Sequence, residues 1–63
     1  MSITASIERI RRFRKYLGAT PYQLARRAGL SHDALKRMDE PGWAPNSRTL
    51  LKLEAIIPED FEA

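Results

Sequence analysis

Ser31, His32 and Asp33 stand side by side, the three residue types of a hydrolytic relay. That relay needs a base lying between nucleophile and carboxylate in space, whereas consecutive residues of a helix project about 100 degrees apart. The better geometry in this stretch is for recognition. On a helix beginning at His32, the side chains of His32, Asp33, Lys36 and Arg37 share one face, while Leu35 and Met38 form an apolar stripe on the other. Lys36 and Arg37 carry donors that suit guanine O6 and N7, and His32 donates or accepts. Asp33 suits either a cytosine amino group or the positive end of its own helix. The chain has no cysteine and one histidine, so neither a thiolate site nor a histidine cluster is available for a metal. No activated nucleophile or paired acid and base stands out, so no enzyme, cofactor or small-molecule substrate is expected.

The elements that must position this face are written around it. Thr20 caps a helix running from Pro21 to Ala28: Pro21 suits the first helical position and Gln23 completes a capping box. Gly29 supplies the left-handed turn that ends this helix, and Ser31 caps the next, from His32 to about Asp39. Two short helices joined by a glycine turn are the helix-turn-helix signature, whose second helix is shaped for the major groove. Leu24, Ala25 and Ala28 face the core. Tyr22 either packs on the preceding helix or offers its hydroxyl to phosphate, and Gln23 serves as cap, as ligand, or as both.

Before this pair, Ile3, Ile7, Ile10, Phe13 or Arg14, and Leu17 step by threes and fours along an amphipathic first helix ending at Gly18, with Thr4 or Ser6 available as caps. Its remaining faces carry Arg9, Arg11, Arg12, Arg14 and Lys15, read either as a solvated face or as a source of one or two phosphate contacts. After the pair, residues 39 to 47 form a proline- and glycine-rich loop. Its Trp43 is read as a plug beneath the loop or as a contact for DNA or a partner. Ser47 is expected to cap a fourth helix presenting Leu50, Leu53, Ile56 and Ile57, halted by Pro58. Arg48 stands in its first turn, where a cation opposes the helix dipole, which suggests an anion nearby. Phe61, in the acidic stretch after Pro58, either folds back or belongs to a longer chain.

Sixty-three residues suffice for one domain, 1–63, with a thin stability margin. Charge is divided along it. Residues 1–37 hold nine Lys and Arg against Glu8 and Asp33, a balance of +7, and residues 38–63 hold Arg48 and Lys52 against six acids, a balance of −4. A basic half containing the helix pair is the footprint of a nucleic-acid binder. No apolar run reaches the length of a membrane span and no signal-peptide core is visible, so a cytoplasmic protein is expected.

Thr20, Leu24-Ala25, Ala28-Gly29-Leu30-Ser31, Leu35, Arg37-Met38-Asp39, Gly42, Pro45, Thr49-Leu50 and Lys52-Leu53 together resemble the lambda repressor and Cro family of helix-turn-helix proteins, the xenobiotic-response-element type. The resemblance covers roughly residues 20–57 by motif. It implies an all-α bundle of four or five helices, of bacterial or phage type, that binds operator DNA and regulates transcription, commonly as a homodimer on inverted half-sites. The family's base-reading positions fall on His32, Asp33, Lys36 and Arg37. Its backbone contacts fall on the start of the second helix (Thr20, Tyr22, Gln23), on Ser31 and on the loop entering the fourth helix (Asn46, Arg48), with Arg14 added from the first. Pro21 stands where the family often has a glutamine, and at most a few residues after Pro58 remain for a fifth helix. The alternative reading is a protein-docking module on the same scaffold, working through the third helix or Trp43.

Overall fold

The computed structural model describes residues 3–62. Among them are three α-helices and no strand: α1 (Ile3–Leu17), α2 (Pro21–Arg27) and α3 (Ser47–Ile56). The first, second and last of the expected helices are present. The expected third, His32 to Asp39, is not an α-helix, so the count is three rather than four or five.

Both inter-helix corners follow from glycine. Gly18 and Gly29 adopt φ of +66° and +71°. At each corner the glycine amide donates back to Lys15 or Arg26, and the next amide donates to Arg14 or Ala25. That pair of bonds is the Schellman closure, and it satisfies carbonyls a helix end otherwise leaves unpaired. The start of α2 is closed as its sequence predicts: Thr20 Oγ1 accepts from the Gln23 amide at 3.1 Å, and Gln23 Oε1 accepts from the Thr20 amide at 3.0 Å. At α3 the cap is Asn46, not Ser47; Asn46 Oδ1 accepts from the Thr49 amide at 2.8 Å, and Ser47 becomes the first helical residue. Thr4 and Ser6 are helical residues of α1 rather than its caps.

Between α2 and α3 the chain advances as a string of tight turns. The amides of Ala34, Lys36, Met38 and Glu40 donate to the carbonyls three residues earlier, at 3.0–3.2 Å, and the intervening amides make no such bond. Leu35 and Met38 are nonetheless fully buried, as expected of the apolar stripe. A spacing of three places two side chains on one side of a tight turn as well as of an α-helix, so the pattern holds although the helix does not. A segment this short becomes an α-helix only where caps and packing support it, as the capping box does for the seven residues of α2. What fixes the end of this segment is α1: Arg11 Nε and Nη2 donate to the carbonyls of Met38 and Glu40 at 2.7 and 2.8 Å, and Arg14 Nη2 meets both Asp39 carboxylate oxygens at 2.7 and 2.9 Å.

The core joins every element. Ile10 and Phe13 of α1, Leu24 and Ala25 of α2, Leu35 and Met38 of the turn segment, and Leu53 and Ile57 at α3 pack together. Leu17, Ala28, Leu30, Trp43, Leu50, Ile56 and Phe61 cover it as half-buried neighbours. Trp43 is thus a partial plug, and Phe61 folds back, its ring edge-on to Phe13 at 5.1 Å. Ile3 opens the α1 stripe in sequence but is exposed. No described helix is long and apolar enough to cross a membrane.

Candidate nucleic-acid interface

The four expected base-reading side chains lie outside the core that Leu35 and Met38 enter. His32, Asp33 and Arg37 are 69%, 78% and 79% exposed, and Lys36 is exposed as well. His32 is placed by α2: its ring meets Tyr22 edge-on with centroids 4.4 Å apart. Tyr22 therefore packs on His32 and under the Arg26 guanidinium, whose carbon lies 6.0 Å from its ring centre. Arg26, Tyr22, His32 and Asp33 form one contiguous polar surface, the last two 3.9 Å apart as an ion pair when the imidazole is protonated. Farther along, Arg37 Nε approaches Glu40 at 3.7 Å. Exposed pairs of this kind contribute about 0–1 kcal/mol, so Arg37 is free to exchange its carboxylate for a stronger acceptor.

The expected backbone contacts divide in two groups. Thr20 and Gln23 spend their oxygens on the cap, which leaves the Gln23 amide nitrogen available as a donor. Asn46 likewise uses its oxygen at α3 and keeps its nitrogen. Ser31 is exposed, its carbonyl accepting from Ala34. Arg48 is exposed beside the amides of the first turn of α3 and has no partner among the described residues. Arg14 differs. Its side chain is only 16% exposed, and its guanidinium is committed to Asp39 and, at 3.2 Å, to the Ala19 carbonyl.

The same test sorts every cation. Four arginines of α1 are internally engaged: Arg9 with the Pro58 carbonyl and Glu54, Arg11 and Arg14 as above, and Arg12 with Glu62 through both its Nε and Nη2. The Arg12 hydrogen bond holds the Glu62 carboxyl below the usual carboxylate range, with the nearby positive charge adding to it. Lys52 reaches the Gly29 carbonyl at 3.4 Å and ties α3 to the glycine corner. That leaves Lys15, Arg27, Lys36 and Arg48 as cations without a partner among the described residues. The five-cation run on α1 is thus mainly scaffolding, which sequence alone divided between solvent and phosphate. A signal for this was present: Arg11 and Arg14 stand four residues after the buried Ile7 and Ile10, at the edge of the apolar stripe. Arg26, placed over Tyr22, is a cation of this surface beyond those the sequence singles out.

Chemically, the arrangement offers donors suited to phosphate and base edges on exposed side chains backed by a closed core. Among the described residues, no three His, Asp or Glu side chains gather as metal ligands would. No protein-family model, curated protein or solved structure matches the chain.

Proposed function

We propose that this chain binds double-stranded DNA and reads its sequence through His32, Asp33, Lys36 and Arg37, as a transcriptional regulator of the lambda repressor and Cro type acting in the cytoplasm. The observation that carries the reading is the division of residues 32–38: Leu35 and Met38 fully buried, the four polar side chains exposed beside them. Arg27, Arg48 and the unspent nitrogens of Gln23 and Asn46 then supply phosphate contacts that set the register. In this reading the turn segment takes the place of a recognition helix, clamped by Arg11 and Arg14 at its far end. A homodimer on inverted half-sites is the assembly that the resemblance implies.

Fluorescence anisotropy of a labelled duplex across salt concentrations tests the class of activity. Phosphate neutralisation by these cations predicts affinity that falls steeply with salt, log K declining by about 0.9 per contact for each tenfold rise. A protein-docking module is the second reading, favoured by the half-buried Trp43, which with Arg37, Glu40, Pro41 and Gly42 lines an open concavity. Absence of duplex binding at physiological salt favours that module.

A further inference from the structure

The residues after α3 fold back on α1 and enclose a second surface that the proposed DNA reading does not use. It is an open groove lined by Tyr16, Pro58, Asp60, Phe61 and Glu62. Phe61 lies edge-on to the buried Phe13 and tilted against Tyr16 with centroids 5.4 Å apart, so one aromatic surface runs from the core to the outside. Tyr16, at its outer end, is 74% exposed. Two of the chain's own arginines already serve part of this groove. Arg12 holds Glu62, and the guanidinium carbon of Arg9 lies 6.0 Å from the centre of the Phe61 ring. The Tyr16 ring has no cation on it and Asp60 has no partner among the described residues. An apolar floor with an unspent carboxylate at its rim complements a cation carried on an aliphatic stem, the stem lying along the rings and the charge reaching the carboxylate. A phosphate ligand would meet the unpaired Asp60 carboxylate and be disfavoured there.

We propose that this groove docks a lysine or arginine side chain from a basic segment of a partner protein, its stem against Tyr16 and Pro58 and its charge at Asp60. The proposal is independent of the DNA reading and stands or falls by its own test. The isotope-labelled chain is titrated with an acetylated lysine-alanine hexapeptide, with the same peptide carrying norleucine for lysine, and with tetramethylammonium, while amide resonances are followed. Saturable shifts at Tyr16, Asp60 and Phe61 are expected with the lysine peptide. They should weaken by about two- to fivefold with the norleucine peptide and in Asp60→Asn, the range that loss of one exposed charge partner spans. Tyr16→Ala should abolish the shifts while leaving the α2 resonances in place, since its side chain is exposed. Unsaturable shifts or an equal response to norleucine overturn the proposal. Shifts with tetramethylammonium but not with peptide point to a small-cation site and also overturn it. Concentration-dependent shifts at these residues without peptide overturn it in favour of a second copy, to which Lys15 could supply the cation.

Discussion

Replacing Arg11 by methionine keeps most of the side-chain stem and removes every donor. In the fold, Nε and Nη2 donate to the Met38 and Glu40 carbonyls at 2.7 and 2.8 Å, and the side chain is 19% exposed. Hydrogen bonds to a charged group contribute about 1.5–3 kcal/mol each, and their loss leaves two carbonyls to find water. The third contact, to Glu8, adds only about 0.3–0.5 kcal/mol, because Glu8 is half exposed and the pair spans one helical turn. Discounting for the solvent at Glu40, Arg11→Met should lower unfolding free energy by about 2–4 kcal/mol, a large share of the roughly 3–9 kcal/mol expected for a chain of this size. Urea denaturation followed by Trp43 fluorescence measures this, and Arg11→Lys, keeping one donor group, should lose about half as much. For variants that remain folded, the salt dependence of duplex binding should match that of the parent chain. Unchanged stability together with a salt slope reduced by about one would make Arg11 a phosphate ligand and refute its role as a strut.

Other outcomes follow from single contacts. Leu35→Ala removes a fully buried side chain from the core that the turn segment shares with the three helices, and should destabilise by about 2–5 kcal/mol in the same denaturation assay. Thr20→Ala breaks the capping box of α2 and should cost about 1 kcal/mol, read as a lowered midpoint without a changed slope. Acid should loosen the turn carrying Phe61. Because Arg12 lowers the folded-state pKa of Glu62, that carboxylate stabilises the fold fully above the ordinary carboxylate range. Its contribution fades as pH falls through the lowered value. Tyr16 and Phe61 resonances followed during acidification should therefore move before those of the core, and Glu62→Gln should show that state already at neutral pH.

Local chemistry was the part of this chain legible in advance. A capping box, a proline at the first helical position and a glycine at a left-handed corner act within six residues, so Thr20, Pro21, Gln23, Gly18 and Gly29 sit where their spacing puts them. The apolar stripes likewise found the core: Ile10, Phe13, Leu24, Leu35, Met38 and Leu53 all enter it. The form of residues 32–39 was less legible, because a spacing of three suits tight turns and an α-helix alike. Asn46 and Ser47 are both capping types, and only the backbone of the loop decides which one stands outside the helix. The arginines of α1 were hardest to divide. The partners that commit them to the fold, the Met38 and Glu40 carbonyls for Arg11, Glu62 for Arg12 and Asp39 for Arg14, lie between 25 and 50 residues away, beyond any local pattern. For the candidate interface, exposure of the four polar residues was implied by the burial of Leu35 and Met38. The contact between His32 and Tyr22 depends on the path of the chain through the corner at Gly29.

Selection of bound duplexes from a random pool, repeated with Arg37→Ala, is the most direct measurement on DNA reading by residues 32–37. That reading predicts an enriched motif, and a loss of about 1–3 kcal/mol for the variant on that motif with a much smaller loss on unrelated duplexes. No enriched motif, or an equal loss on every sequence, would contradict it.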